Sequence, residues 1–331
     1  MTILTLIIVL SILVMGAYLY IRRTPQGMVE FKSGLILKFL PNLDHIAPVE
    51  LRDSVEKFVA KNAHKVKVPI KLVKDLSVQT RHGAVKARLY DDSDGPQDRC
   101  IIFYHGGGFC IGSIDTHNEQ ARRVAKATGL PLLSINYSLA PEHKFPHAFE
   151  ECVDAVLWAK ERLQDLGISK AQFIPMGDSA GGNLAIVVTM ELIKLGHRDI
   201  ISQVVPIYPV TDGTRSDYES NKLYGEGFYL TSKAMDNFVH DYISDPQESY
   251  DVRASPLLED DLSQFPPSFI LTAGFDPLRD QGEAFAQKLK EAGCIVKLKR
   301  YDNAIHAFFG LKDFGQKGLE AVEDVAKFLR A

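Results

Sequence analysis

Hydrophobic and polar positions follow three successive patterns along the chain. Residues 2–21 read TILTLIIVLSILVMGAYLYI, without a single charge. About 20 predominantly apolar residues suffice to cross a bilayer core as a helix. Tyr18 and Tyr20 near the end of the run suit the headgroup interface. A transmembrane anchor over residues 2–21 is the expectation. The alternative is a cleaved signal peptide. Against it, no Lys or Arg precedes the run, which exceeds a usual h-region, and no small-x-small cleavage site follows.

From residue 24 to about 70 the pattern becomes helical and amphipathic, with Val49, Leu51, Val55, Phe58 and Val59 on one face. Lys57, Lys61, Lys65, Lys67, Lys71 and Lys74 make a basic cluster close behind the anchor. Such a cluster reads either as attraction to anionic lipid or as an ordinary solvated face.

The third pattern occupies residues 71–331. Two alternating runs, 74–79 and 84–90, flank a glycine turn and predict an antiparallel hairpin. Strands at 100–104, 131–137 and 204–208 then alternate with helices starting near Thr116 and spanning 145–166. A further strand runs from Gln172 into a glycine-rich turn, and a helix follows Asn183. This βαβα rhythm predicts a mostly parallel sheet covered by helices. It breaks at about 210–262, where only 233–243 looks helical and aromatic residues are plentiful. An insertion of that length reads as a cap. The strands 268–273 and 295–301 and the helices 279–292 and 319–331 complete the chain.

Composition and charge narrow the function. The net charge of −4 and the absence of an Arg-rich face leave nucleic-acid binding without support. The four cysteines, Cys100, Cys110, Cys152 and Cys294, are far apart, which argues against a zinc site or a disulfide framework. Arg22, Arg23, Lys32 and Lys38 follow the apolar run and none precedes it, so the positive-inside rule puts the remainder of the chain in the cytoplasm.

The candidate chemistry centres on Gly177-Asp178-Ser179-Ala180-Gly181, a G-x-S-x-G strand–turn–helix elbow. Taken alone, Ser179 could equally be a helix cap. A serine hydroxyl needs a base beside it to act as nucleophile, and in such folds the order is serine, acid, histidine. Only His197, His240 and His306 follow Ser179, and His306 alone comes after the last predicted strand. Asp276 directly follows the strand 269–275 and precedes Pro277; Asp280 is the alternative acid, or a first-turn helix residue. His105-Gly106-Gly107-Gly108 follows an earlier strand, where an HGGG loop supplies N–H donors to a developing oxyanion, with Ala180 N–H as a further donor.

On these stretches the chain resembles the hormone-sensitive lipase-like branch of the α/β-hydrolases, the bacterial family IV esterases with a GDSAG elbow. The matching segments are 104–109, 112–117, 136–142, 177–183, 276–280 and the region of His306, in the family's order. Ala307 stands where family members usually carry glycine. The resemblance implies an α/β-hydrolase fold with a cap built from residues 24–70 and the insertion. It implies a Ser179–His306–Asp276 triad and oxyanion donors at Gly107, Gly108 and Ala180, with His105 and Gly106 supporting the loop. It also implies carboxylic esters of short to medium acyl chain as substrates, with no cofactor or metal. Arylacetamide deacetylases of the same branch are similarly anchored, which leaves amide or acetyl hydrolysis open. Plant hormone receptors of the branch have lost the histidine, a non-catalytic alternative that the retained Asp276 and His306 disfavour.

Overall fold

The computed structural model describes residues 3–39, 46–62, 68–214, 216–310 and 316–330, with side chains described from residue 10 onward in the first segment. Its core is an eight-stranded sheet. In chain order the strands are β3 (Leu72–Thr80), β4 (Gly83–Asp91), β5 (Cys100–Tyr104), β6 (Leu132–Asn136), β7 (Phe173–Asp178), β8 (Val205–Ile207), β9 (Ser268–Phe275) and β10 (Val296–Ile305). The spatial order is β10-β9-β8-β7-β5-β6-β4-β3. The β3/β4 and β4/β6 pairs are antiparallel and the others parallel. Strands β5, β7 and β9 are buried throughout, because helices cover both faces of a parallel sheet. The edge strand β3 has exposed positions along its length, as a strand with one open face requires.

Five helices flank the sheet: α4 (Asn118–Thr128), α5 (His147–Lys160), α6 (Ala180–Lys194), α9 (Arg279–Glu291) and α10 (Gln316–Arg330). In α10 the buried residues Ala321, Val322, Val325, Ala326 and Leu329 recur at helical spacing and give one apolar stripe. Helix α4 ends on Gly129 in the left-handed conformation, its N–H capping the Ala125 carbonyl. The predicted helix 145–166 is shorter, since α5 stops at Lys160. Strand β10 is longer than expected: it continues past Tyr301 through an irregularity and re-pairs at Ile305 with Phe275. Among its described residues the expected insertion contains no sheet strand, only α7 (Glu219–Tyr224), α8 (Ser232–Tyr242) and two short 3₁₀ turns.

The N-terminal segment, through residue 62, departs from the expectations. A helix, α1, runs Ile3–Arg22, and its apolar side chains from Leu10 to Tyr20 are exposed. Part of the expected span 2–21 lies outside the described residues. Among the described residues no helix is long and apolar enough to cross a membrane. The amphipathic pattern of 24–70 is also not one continuous helix. Arg23–Thr24 (β1) and Gly27–Met28 (β2) form a small ribbon, followed by α2 (Phe31–Phe39) and α3 (Pro48–Asn62). The break falls at Pro25 and Gly27, whose φ of 143° no helix accommodates. On α3, Leu51, Val55 and Val59 are half-buried, while Val49 and Phe58 are exposed. The basic cluster is dispersed: Lys57 and Lys61 lie on α3, Lys71 pairs with Asp94, Lys74 is on β3, and Lys65 and Lys67 lie outside the described residues.

Candidate active site

The ends of β5, β7, β9 and β10 converge at one edge of the sheet, where functional groups of open α/β sheets gather. Ser179 joins β7 to α6 with φ 57° and ψ −117°, a conformation that a non-glycine residue holds only under constraint. The constraint is visible. Ser179 N–H donates to the Ile207 carbonyl of β8 (2.9 Å), and its own carbonyl accepts from Asn183 (3.0 Å). A Cβ at Gly177 or Gly181 would collide with the Tyr104 carbonyl, so both positions need glycine for backbone to pass backbone.

Asp276 is the residue directly after β9 and His306 the one directly after β10. Both are buried, at 0 % and 5 % exposure. His306 bridges the other two groups: Nδ1 lies 2.7 Å from Asp276 Oδ2 and Nε2 lies 3.0 Å from Ser179 Oγ. With a carboxylate on one side, Nδ1 carries the proton and donates it to Asp276, leaving Nε2 to accept from the serine hydroxyl. Asp276 Oδ1 also accepts the Leu278 N–H (2.8 Å), which fixes the carboxylate's rotation. Asp280, the alternative acid, is elsewhere engaged. It accepts the Ser220 N–H at the start of α7 and pairs with Arg279. The other two histidines stand apart: His197 lies against Lys160 and His240 is exposed on α8.

The HGGG loop follows β5, the strand paired with β7. Gly107 and Gly108 have φ of 123° and 59°, and Gly107 O accepts from Cys110 and Ile111, closing a tight turn. Ala180 is the first residue of α6, where N–H groups have no intrahelical acceptor. Gly106 leaves no room for a side chain, because a Cβ would abut Asp178. Gly106 N–H donates to Asp178 Oδ1 (3.0 Å), so the residue just before the serine also holds the loop opposite it. His105 is fully buried, stacked on Tyr137 at 4.2 Å, and its Nδ1–H donates to the Gly106 carbonyl (2.9 Å). Burial, helped by the neighbouring His117, depresses its pKa to about 3, so this imidazole is neutral.

Several participants carried no role in the sequence reading. Asp178 also faces His117 Nε2 (3.5 Å) and Tyr208 (3.4 Å). Burial alone would raise its pKa, but His117 and the Gly106 N–H outweigh that and hold it below the usual carboxylate range. Asn183 donates to both the Val210 and Ala254 carbonyls (2.9 Å each), pinning the start of the insertion and a later point in it to α6. Arg52, on α3, donates to the Cys110 carbonyl (2.8 Å) and the Ala140 carbonyl and grips Glu142 with both Nη atoms. From the insertion, the Phe238 ring of α8 packs on Gly108, and Tyr242 stacks on Phe109 at 3.9 Å. Asp178, Asn183 and His117 lie within the quoted motifs. Nothing in the sequence marks Arg52, 58 residues upstream of its partner Cys110.

Comparison with known proteins agrees with this architecture. Residues 101–310 match the family described as alpha/beta hydrolase fold. The chain is 38 % identical over 264 residues to the carboxylic ester hydrolase LipN of Mycobacterium tuberculosis, covering 78 % of this chain and 70 % of the relative. It is 33 % identical over 285 residues to an ethyl acetate hydrolase of Pseudomonas putida, covering 85 % and 89 %. A solved hyperthermophilic esterase from the archaeon Pyrobaculum calidifontis superposes with a TM-score of 0.84 at 36 % identity, covering 89 % of this chain and 95 % of that one. The chain belongs to the α/β-hydrolase family.

Proposed function

We propose that the protein is a carboxylic ester hydrolase acting through Ser179, His306 and Asp276. The observation that carries this reading is the unbroken line of contacts from Asp276 through His306 to Ser179 Oγ. In the proposed mechanism His306 Nε2 takes the hydroxyl proton as Ser179 attacks the acyl carbonyl, then returns it to the departing alcohol. Asp276 keeps the ring in the Nδ1–H tautomer and stabilises the imidazolium. The carbonyl oxygen becomes an anion facing the N–H groups of Gly107, Gly108 and Ala180, each typically worth about 3–4 kcal/mol of barrier. Water then repeats the cycle on the acyl-enzyme.

Residues 24–70 and about 210–262 serve as the two parts of a cap over a catalytic domain formed by residues 71–331. The contact of Phe238 with Gly108 and that of Arg52 with Cys110, two residues beyond the HGGG loop, support that role. Phe238, Phe109 and Tyr242 make the approach to Gly108 apolar and confined, which favours esters of short to medium acyl chain. The esterase and ethyl acetate hydrolase relatives support the same substrate class. The uncharged run at 2–21 and the exposed apolar side chains Leu10, Ile12, Leu13, Val14 and Met15 support a membrane anchor. The basic residues after it favour a cytoplasmic catalytic domain.

The decisive experiment is hydrolysis of p-nitrophenyl esters of graded chain length, together with labelling by a fluorophosphonate probe. Ser179→Ala should abolish both. Retained hydrolysis in that variant would sink the mechanism. An alkaline phosphatase fused at the C-terminus and active in a bacterial periplasm would refute the orientation.

A further inference from the structure

The segment between α1 and α3 makes contacts that a simple tether would not need. After the ribbon, Val29 and Ile36 are buried at 0 % and 3 % exposure. They share one hydrophobic cluster with Tyr224 and Phe228 of the insertion and with Phe275 and Ile305. Phe275 is the last residue of β9 and Ile305 the last of β10, and the two are paired across the sheet. The acid and the base of the proposed triad are therefore each the next residue beyond this cluster.

Polar contacts run the same way. Glu30 N–H donates to the Asn303 carbonyl (2.8 Å), three residues before His306, and Glu30 Oε1 accepts from the N-terminal N–H of α10 (2.5 Å). A Cβ at Gly27 would stand 3.3 Å from the Phe275 ring, so the ribbon lies directly on that side chain. The segment is itself braced. Val29 N–H donates to the Arg22 carbonyl, and Gly34 abuts the Ile21 carbonyl so closely that a Cβ would collide.

We propose that residues 27–37 are a positioning element for Asp276 and His306. Successive side chains in a strand point to opposite faces. Locking Phe275 and Ile305 in a packed cluster therefore fixes the rotation of each strand end, and with it the direction in which the next side chain leaves. Asp276 and His306 stand where the ladder of the sheet runs out. The packing beneath them supplies the restraint that the strand ends lack. An error of about 1 Å in such an alignment can cost about 100-fold in rate.

This inference rests on the proposed triad, and the test separates the two. The full chain is purified in detergent as wild type, Ser179→Ala, the double variant Val29→Ala/Ile36→Ala, and the conservative pair Val29→Ile/Ile36→Val. Phe39→Ala, on the exposed end of the same helix, is the control. Each is assayed for kcat and KM on p-nitrophenyl acetate, for burst titration of competent serines, and for Tm. The double-alanine variant should lose about tenfold to 100-fold in kcat per titrated serine, with KM within about twofold. The conservative pair should restore kcat, and Phe39→Ala should match wild type. An unchanged kcat per titrated serine would overturn the inference, whatever Tm does. So would a loss explained wholly by fewer competent serines. Activity in Ser179→Ala would instead overturn the triad itself.

Discussion

The serine side and the base side of the site are built in different ways. Ser179, its flanking glycines, Asp178 and Ala180 fall within one short stretch, and the collisions that shape the elbow involve backbone the turn itself meets. Its opposite wall is held by Asp178, the serine's own neighbour. The base side has no such local shape. Asp276 and His306 stand on separate strand ends, steadied by residues of the N-terminal segment, the insertion and α10. Among the non-glycine residues at positive φ, Ser179 at 57° belongs to the elbow and Ala307 at 67° to the base side. In the elbow that strain presents the proposed nucleophile. At Ala307 the left-handed backbone presents nothing, and a glycine would hold it without strain. The contrast separates a turn whose shape is its function from a loop whose shape is imposed from outside.

Four experiments would break or sharpen this comparison. The largest effect is expected from Asp276→Asn, which preserves packing but favours the wrong imidazole tautomer. Steady-state kinetics should show kcat lower by about 10⁴-fold with folding intact. A smaller loss would mean that His306 is oriented by its loop rather than by Asp276.

Next comes acid sensitivity on the serine side. An unfolded His105 takes up a proton below about pH 6.5, whereas the buried ring resists until about pH 3. The unfolded state therefore binds more protons throughout that window. Stability is intact above about pH 6.5 and falls progressively toward pH 3, by on the order of 4–5 kcal/mol in full. Urea titrations across this range should show a shallower decline for His105→Gln than for wild type.

Gly181→Val should destabilise by about 3 kcal/mol through overpacking against the Tyr104 carbonyl. Its urea midpoint should fall together with the labelling of Ser179, since in the elbow geometry and function share the same atoms. The smallest effect is expected at Ala307 and Ser179, the positive-φ residues compared above. Ala307→Gly should raise stability by about 1 kcal/mol, seen as a higher Tm. Ser179→Gly should exceed Ser179→Ala in stability by a similar amount, because alanine keeps the Cβ that the backbone resists.

Legibility in the sequence follows the same division. The elbow was readable because steric necessity confines it to adjacent residues. The hydrophobic periods were readable for the sheet and its helices, because each face must be covered. The end of β10 was not. Its irregularity between Tyr301 and Ile305 interrupts the alternation, and only pairing with Phe275 restores the strand. The ribbon at residues 23–28 was hidden for a different reason: two-residue strands leave no period to detect. Arg52 reads as one more charge on an amphipathic helix until the Cys110 and Ala140 carbonyls are brought to it.

By itself the sequence determined the βαβ architecture, the serine at its turn, and the order in which acid and histidine follow. These depend on local sterics and on periods short enough to survive in one dimension. The strand-end position of Asp276 already favoured it over Asp280, and tertiary structure brought it to His306 while Asp280 accepts from Ser220. Tertiary structure also decided that Asp178 holds the opposing loop and that Val29 and Ile36 lie beneath the base side. Those contacts join residues up to about 280 positions apart. No local pattern encodes them, because they exist only once the sheet has brought its strand ends together.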